Sequence, residues 1–394
     1  MPGRRHIQRE RVNRTGTTPS AGRTSGHLLG LLGVLALTAC SRLPLDDPRV
    51  TCHVASDPVR ITMRAATRSL YQTSTQPDDP ALASWSDAAI QFGTQPVGGC
   101  KLHARGQNSK RVPRKSYTVK LPARQTVLPG VEMRRVFLLN LAFDPHQFEM
   151  RFAHACQLAA GLFSPEQLLT RVLVGNEDDG LYLLCERHHT AIRHAFPDVK
   201  LVVRCGTNTY STTWPSEGAN RIAVNHLNAA ILVEDAEQRA QRLEAIIDVD
   251  ALCRWMACNS LLMNADTAGE LFLFERPQPG NKVGRFGVMG WDYDDLNEPP
   301  SHPDQVLEHP LTWAAENDLE KTVLTTEPLL QRYREVLRGL LLAELSQEAT
   351  DSWLESLRVA LNAAQPDGSR DAAIAEFSRS ITARRAELLK RLDT

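Results

Sequence analysis

The chain has 394 residues, of which 42% are hydrophobic and 23% are charged, and its net charge is −1. These values are ordinary for a soluble globular protein with one large or two smaller domains. Because the net charge is close to zero, the chain as a whole has no electrostatic attraction to nucleic acid. We therefore expect no nucleic-acid partner.

The N-terminus has the organisation of an export signal. Residues 4–23 are basic and polar, and about twelve apolar residues follow at positions 28–39. This run is too short to cross a ~30 Å hydrocarbon layer as a helix, but it is typical of a signal peptide. The small residues before Cys40, in "LTAC", resemble the lipobox of bacterial lipoproteins. The alternative is a buried core helix with a chance cysteine.

The lipobox resemblance implies that residues 1–39 are a signal peptide and residues 40–50 a tether. A lipid on Cys40 would then attach the protein to a membrane. Ser41 is not the acidic residue that would indicate retention at the inner membrane. We therefore expect a lipid-anchored protein of the bacterial cell envelope, at the outer membrane or its periplasmic face.

The remaining chain predicts strands first and helices later. Segments such as "VRITMRAA" and "KSYTVKL" alternate in the manner of strands. Further on, "DVDALCRWMACNSLLMN" predicts an amphipathic helix that Asp248 or Asp250 can cap. "LFLFER" and "RFGVMGW" predict a later pair of strands. We predict an α+β fold with a sheet-rich part, residues 51–190, and a helix-rich part, residues 191–394.

A basic segment lies in the sheet-rich part. Residues 101–124 contain eight Lys or Arg and no acid. They include a polar turn from Gly106 to Ser109, whose backbone N–H groups could hold phosphate together with Arg105 and Lys120. The alternative is an exposed basic hairpin.

An acidic segment, "WDYDDLNEPP", follows the last predicted strand. Asp292 and Asp294 are two residues apart, so on an extended chain both side chains point to one side. Carboxylates that lie this close repel unless a cation joins them, and oxygen ligands suit Mg²⁺ or Mn²⁺. Asp266 stands where an apolar helix ends, and a helix end and a hairpin tip can converge on one site. The alternative is a capped helix and a solvated turn.

Several segments resemble the CotH kinase family, the spore-coat-kinase-like atypical protein kinases. "ARGQNSKRVPRKSYTVKL" resembles the family's RGxSS…PKKSYxxK segment, and "VLVGNEDDGLYLLCE" resembles its NG-x-x-x-GLY hairpin. "NSLLMNAD" and "GVMGWDYD" resemble its N-x-D helix end and its WDxD motif. The resemblance implies a diverged, two-lobed protein-kinase-like fold that binds ATP with Mg²⁺ or Mn²⁺ between its lobes.

The resemblance also implies roles for individual residues. Asp292, with Asp294, would bind the metal, and Asp266 would place the acceptor hydroxyl or bind metal. The residues implied to contact the nucleotide are Arg105, Ser109, Lys115, Lys120 and Glu186, with Lys120 the preferred phosphate ligand and Glu186 orienting a lysine or touching the nucleotide. The sequence departs from the family pattern at Asn108, where a serine is usual, and at Gly269-Glu270, where an asparagine is common.

Three functions are compatible with these features. The first is ATP- and metal-dependent phosphorylation of Ser or Thr on an exported protein. The second is nucleotidyl transfer or ligation, which would use the same acids and basic strands. The third is a non-catalytic structural or binding lipoprotein.

Overall fold

The computed structural model describes residues 54–128, 131–216, 221–278, 280, 283–300 and 302–394. The predicted signal peptide, the tether and Cys40 lie outside these residues.

Seven strands of the N-terminal half form a closed barrel in the order β1-β2-β3-β4-β5-β7-β6. They are β1 (Val59–Met63), β2 (Ser86–Phe92), β3 (Gln95–Arg105), β4 (Ser116–Leu128), β5 (Val131–Leu139), β6 (Gln167–Val174) and β7 (Glu177–Glu186). Helices α1 (Ala65–Thr73) and α2 (Pro80–Ala83) connect β1 to β2, and α3 (Glu149–Ala159) connects β5 to β6. Neighbouring strands are antiparallel except β1 and β6, whose parallel pairing closes the barrel.

The alternation of β4 explains why its two faces differ. Tyr117 and Val119 point into the barrel and belong to its apolar core, together with Ile61 and Tyr182. Residues 116, 118 and 120 occupy the other face, as the period of two requires. The predicted alternation of "KSYTVKL" is therefore confirmed.

A second sheet and most of the helices follow. The sheet has the order β11-β10-β8-β9. Its strands are β8 (Leu201–Cys205), β9 (Tyr210–Trp214), β10 (Leu271–Arg276) and β11 (Arg285–Gly290). The helices are α4 (His188–Ala195), α5 (Ile222–Ile231), α6 (Ala236–Ile246), α7 (Val249–Leu262), α8 (Asp318–Thr325), α9 (Glu327–Leu342), α10 (Gln347–Ala364) and α11 (Gly368–Leu392). In the described parts of the chain, no helix is both long enough and apolar enough to cross a membrane.

Helix α7 forms the centre of the second half. Asp248 caps it by accepting a hydrogen bond from Ala251 N at 3.2 Å, whereas Asp250 forms an ion pair with Arg332 at 2.6 Å. The indole of Trp255 is fully buried in the large apolar core that the helices share with the second sheet. This packing fixes the C-terminal end of α7, from which Asp266 follows.

The predicted two-lobed, protein-kinase-like fold is wrong. The N-terminal half is a closed seven-stranded barrel, with the helices mainly C-terminal to it. The mixed α+β content and the order of strands before helices agree with the prediction. Alternation reveals a strand and its buried face, but closure depends on β1 meeting β6, which are far apart in the sequence.

A buried histidine on α4 predicts a pH-dependent loss of stability. Burial lowers the pKa of His189 to about 3, and the nearby Arg187, Arg135 and Arg193 contribute to that shift. The unfolded chain therefore binds a proton below pH 6.5 that the folded protein does not bind until about pH 3. We expect the wild type to lose about 1.4 kcal/mol of unfolding free energy between pH 7.5 and 5.5 that His189→Gln does not lose.

Urea unfolding at the two pH values measures this difference. His226→Gln, an exposed substitution on α5, is the control and should track the wild type. A gap between wild type and His189→Gln that stays constant over this range would contradict the prediction.

Candidate functional site

A cavity of about 360 Å³ lies where the β3–β4 turn of the barrel meets one end of the second sheet. Both predicted charged segments contribute to it. Its polar and charged lining residues are Arg105, Gln107, Asn108, Ser109, Ser116, Asn140, Arg204, Asp266, Glu270, Asp292, Asp294 and Asp295.

The barrel side of the cavity is a tight turn. Gly106 has φ +81°, a conformation that L side chains rarely adopt. The Ser109 hydroxyl donates to the Arg105 carbonyl oxygen at 2.9 Å and so holds the turn closed. The Arg105 guanidinium lies over the Phe137 ring, 3.7 Å from its centroid. This stacking holds the positively charged Arg105 guanidinium at the cavity wall.

The acidic segment leaves β11 at the end opposite its hairpin loop. Trp291 N donates to the Glu270 carbonyl oxygen at 2.9 Å, so the exit of β11 lies beside the start of β10. Asp292 has φ +57°, so the predicted extended conformation of this segment is wrong. The side chains of Trp291 and Tyr293 are buried, and Asp292 and Asp294 both line the cavity. A left-handed residue, rather than strand alternation, brings the two acids together.

Asp266 reaches the same cavity because the end of α7 is hydrogen-bonded to the acidic segment. Met263 ends the helix with φ +53°. Ala265 N then donates to the Asp295 carbonyl oxygen at 3.1 Å, and Asn297 N donates to the Met263 carbonyl oxygen at 3.0 Å. The structure thus brings Asp266, Asp292 and Asp294 to one cavity, although the acidic segment lies at the end of the strand pair away from the hairpin loop and not at the expected hairpin tip.

Acidic groups outnumber basic groups among the residues that line this cavity. Five carboxyl groups line it, against the guanidinium groups of Arg105 and Arg204. Burial raises the pKa of Asp292, although the two arginines oppose that rise. Burial and the neighbouring Asp292 raise the pKa of Asp294 to about 8. Acids that lie this close together disfavour one another's ionisation, and their oxygen atoms suit a divalent cation, which would favour the ionised forms.

Two unpartnered oxygen atoms support the same conclusion. Glu270 Oε2 and Asp266 Oδ1 are buried and accept no hydrogen bond from the residues that the structure describes. A buried carboxylate oxygen without a donor is costly, so each is a ready ligand for a cation.

Arg204 and the role of Glu270 were not predicted from the sequence. Arg204 on β8 contacts Glu270 through an ion pair of 2.7 Å, and both line the cavity. The available signal was a single arginine in the otherwise apolar run "LVVRC", since a charge inside a buried strand needs a partner.

Lys115 was expected to contact phosphate. It is fully buried and is not among the residues that line the cavity. Its ammonium group donates to the carbonyl oxygens of Ser74 and Lys110 at 2.7 Å each, and to that of Val112. Its three donors are therefore occupied by backbone.

Lys120 and Glu186 also lie apart from the cavity lining. Lys120 stands opposite Lys101 and Arg135 in the barrel, roughly 13 Å along β4 from Ser116, which lines the cavity. Glu186 lines a different cavity, where its Oε2 lies 3.4 Å from Nδ1 of His194. Of the residues expected to contact the nucleotide, Arg105 and Ser109 line the cavity. The roles of the other three remain predictions.

The turn predicts a strong effect of Gly106→Ala. The added methyl group would overlap the Ser109 hydroxyl, and the positive φ would be strained. We expect a loss of about 1–2 kcal/mol of stability and, because the turn shifts, a nucleotide affinity lower by about tenfold. Thermal melting and titration calorimetry with Mg²⁺–ATP measure the two effects.

Gly98→Ala is the matched control for that turn variant, because Gly98 lies on β3, the strand that leads into the turn, and an added methyl group there meets open space. Equal nucleotide affinity in Gly106→Ala and wild type would show that the turn does not contribute to binding.

Comparison with known proteins agrees with the resemblance seen in the motifs. The model of the family described as CotH kinase protein matches residues 102–391, which is most of the chain. The match includes both sides of the cavity and supports a kinase-like function. No curated protein matches the chain significantly.

Proposed function

Because the chain belongs to the CotH kinase family, we propose that it is an ATP-dependent phosphotransferase that requires Mg²⁺ or Mn²⁺ and phosphorylates Ser or Thr of an exported protein. The observation that carries this proposal is the cavity itself. Arg105, at the start of the β3–β4 turn, and a group of largely half-buried acids line the same cavity. A nucleotide polyphosphate with a divalent cation requires both kinds of group, basic ones for the phosphates and acidic ones for the cation.

The acids fit the cation and the barrel side fits the phosphates. Asp292 and Asp294 would hold the ion, with Asp266 available to a second ion or to the acceptor hydroxyl. The bound cation would neutralise negative charge on the transferring phosphoryl group. Arg105 and the N–H groups of the turn that ends at Ser109 would fix the phosphates from the opposite side.

The geometry accounts for positioning rather than covalent catalysis. Arg105 is held by its stacking on Phe137, and Arg204 by its ion pair with Glu270. Groups that are fixed before the substrate arrives need little reorganisation during the reaction. Phosphoryl transfer depends mainly on such fixed charges, so this arrangement is suited to it.

Intact-mass spectrometry tests the reaction type. The protein would be incubated with ATP, Mg²⁺ or Mn²⁺, and the exported proteins of its own cell. A substrate that gains one phosphoryl group, with release of ADP, is the expected result. Gain of one nucleotide would instead identify a nucleotidyl transferase. No change in any protein, from a preparation that binds nucleotide, would indicate a binding protein.

We further propose that the protein works in the cell envelope, anchored by lipid on Cys40. The N-terminal signal, residues 1–39, supports this proposal. In cell fractionation, the wild type should sediment with membranes, and Cys40→Ser should lose the lipid and leave the membrane fraction. A wild-type protein without lipid would contradict the anchor without bearing on the reaction.

A further inference from the structure

A second group of potential ligands lies beside the cavity. One ligand atom each from Asp266, His302 and Glu316 lies within 4.8 Å of the other two. The three residues come from separate segments: the end of α7, the loop after Pro300 and the approach to α8. His302 and Glu316 do not line the cavity described above.

Glu316 is the distinctive member of this group. It is fully buried, and its Oε2 accepts hydrogen bonds from Thr267 N and Ala268 N, both at 2.8 Å. Its other oxygen, Oε1, accepts no hydrogen bond from the described residues and lies 3.4 Å from Nδ1 of His302. A buried carboxylate oxygen that lies beside an imidazole nitrogen and accepts no hydrogen bond is a ready ligand for a metal ion.

The position of Glu316 is reinforced by a second buried acid. Glu320 Oε2 accepts hydrogen bonds from Glu316 N at 3.0 Å and from the Thr267 hydroxyl at 2.8 Å. It thus joins the segments that carry Asp266 and Glu316 and fixes their separation. Outer hydrogen bonds of this kind orient the ligands of metal sites.

We propose that Asp266, His302 and Glu316 bind a divalent transition-metal ion of the Zn²⁺ or Mn²⁺ class. One imidazole nitrogen and two carboxylate oxygens form a mixed ligand set, which suits these ions better than Mg²⁺ or Ca²⁺, whose preferred ligands are oxygen. The His302 side chain is about half exposed, so the site opens to solvent and leaves positions for water or a substrate oxygen.

This centre goes beyond the proposed function and does not depend on it. Asp266 connects it to the cavity, whereas His302 and Glu316 contribute to this centre alone. Substitution of His302 therefore tests the new site, and substitution of Asp292 tests the nucleotide site.

The test uses the full-length protein after removal of metal with a chelator. Zn²⁺ would be titrated against a competing chromophoric chelator, and Co²⁺ absorption would report imidazole coordination. The variants are His302→Ala, Glu316→Gln and Asp292→Asn, with exposed His226→Ala as the matched control. Thermal melting checks that each is folded. Should Glu316→Gln fail to fold, the exposed His302 side chain still provides a decisive variant.

We expect one tight Zn²⁺ equivalent in the wild type, in His226→Ala and in Asp292→Asn. His302→Ala should bind at least about tenfold more weakly and lose the Co²⁺ absorption of the wild type. Wild-type affinity in His302→Ala, or no stoichiometric binding in the wild type, would overturn the proposal. Loss of the ion in Asp292→Asn would also overturn it, because the ion would then lie in the nucleotide cavity.

Discussion

Asp292→Asn should abolish metal-dependent nucleotide binding while leaving the protein folded. The substitution removes one carboxyl group from a group of largely half-buried acids and keeps the size of the side chain. We expect the affinity for Mg²⁺–ATP to fall by about 3 kcal/mol or more, roughly a hundredfold. Titration calorimetry measures it directly. With a chelator present, wild type and variant should bind nucleotide equally weakly, because the lost interaction is the one with the cation.

Asparagine is the informative replacement because of the backbone at this position. Asp292 has φ +57°, which asparagine tolerates and alanine does not. Alanine would add strain of about 1–2 kcal/mol and so confuse a folding defect with the loss of a ligand. Asp198→Asn, at an exposed position, is the control for loss of charge. Unchanged Mg²⁺–ATP affinity in Asp292→Asn would contradict the assignment of the cation site.

The candidate site was predictable where chemistry is concentrated in short segments. Asp266 and Asp292 follow elements that the apolar pattern identifies, and the turn after Arg105 is marked by Gly106. These four residues, Asp266, Asp292, Arg105 and Gly106, all line the cavity. Arg204 escaped prediction because it is a single charge within a strand, and only the pairing of β8 with β10 brings it to Glu270.

The surroundings of a side chain could not be predicted from the sequence where they depend on contacts with distant segments. Lys115 and Lys120 belong to the same basic segment, and the sequence does not distinguish their environments. The structure places Lys115 on backbone carbonyl groups and Lys120 beside other basic residues of the barrel. His302 and Glu316 meet only because the loop after β11 folds back towards the start of α8.

The fold shows the same division between local and long-range information. Strands β10 and β11 and helix α7 lie close to where the apolar patterns place them, whereas β8 and β9 were not predicted. Closure of the barrel depends on β1 pairing with β6, and the acid geometry depends on the positive φ of Asp292. Neither has a signature within one element, so the predicted two-lobed architecture did not anticipate the barrel.

Lys115→Met should destabilise the protein strongly. The side chain is fully buried, and its ammonium group donates hydrogen bonds to three carbonyl oxygens. One is that of Ser74, just beyond the end of α1, and the other two are those of Lys110 and Val112, between β3 and β4. Methionine fills the same volume but donates nothing, so three half-buried carbonyl oxygens would lose their donor. We expect a loss of about 3 kcal/mol of unfolding free energy, measured by urea denaturation.

Comparison with Lys101→Met separates a structural lysine from a phosphate ligand. The Lys101 side chain is about half exposed and forms an ion pair of 3.3 Å with exposed Asp87, so its loss should cost less than about 1 kcal/mol. If Lys115 holds the turn, Lys115→Met lowers stability, and the remaining folded protein binds nucleotide with reduced but measurable affinity. If Lys115 instead contacts phosphate, the variant keeps wild-type stability and loses nucleotide binding. The three carbonyl contacts favour the first result, because an ammonium group with all its donors occupied has none left for a phosphate oxygen.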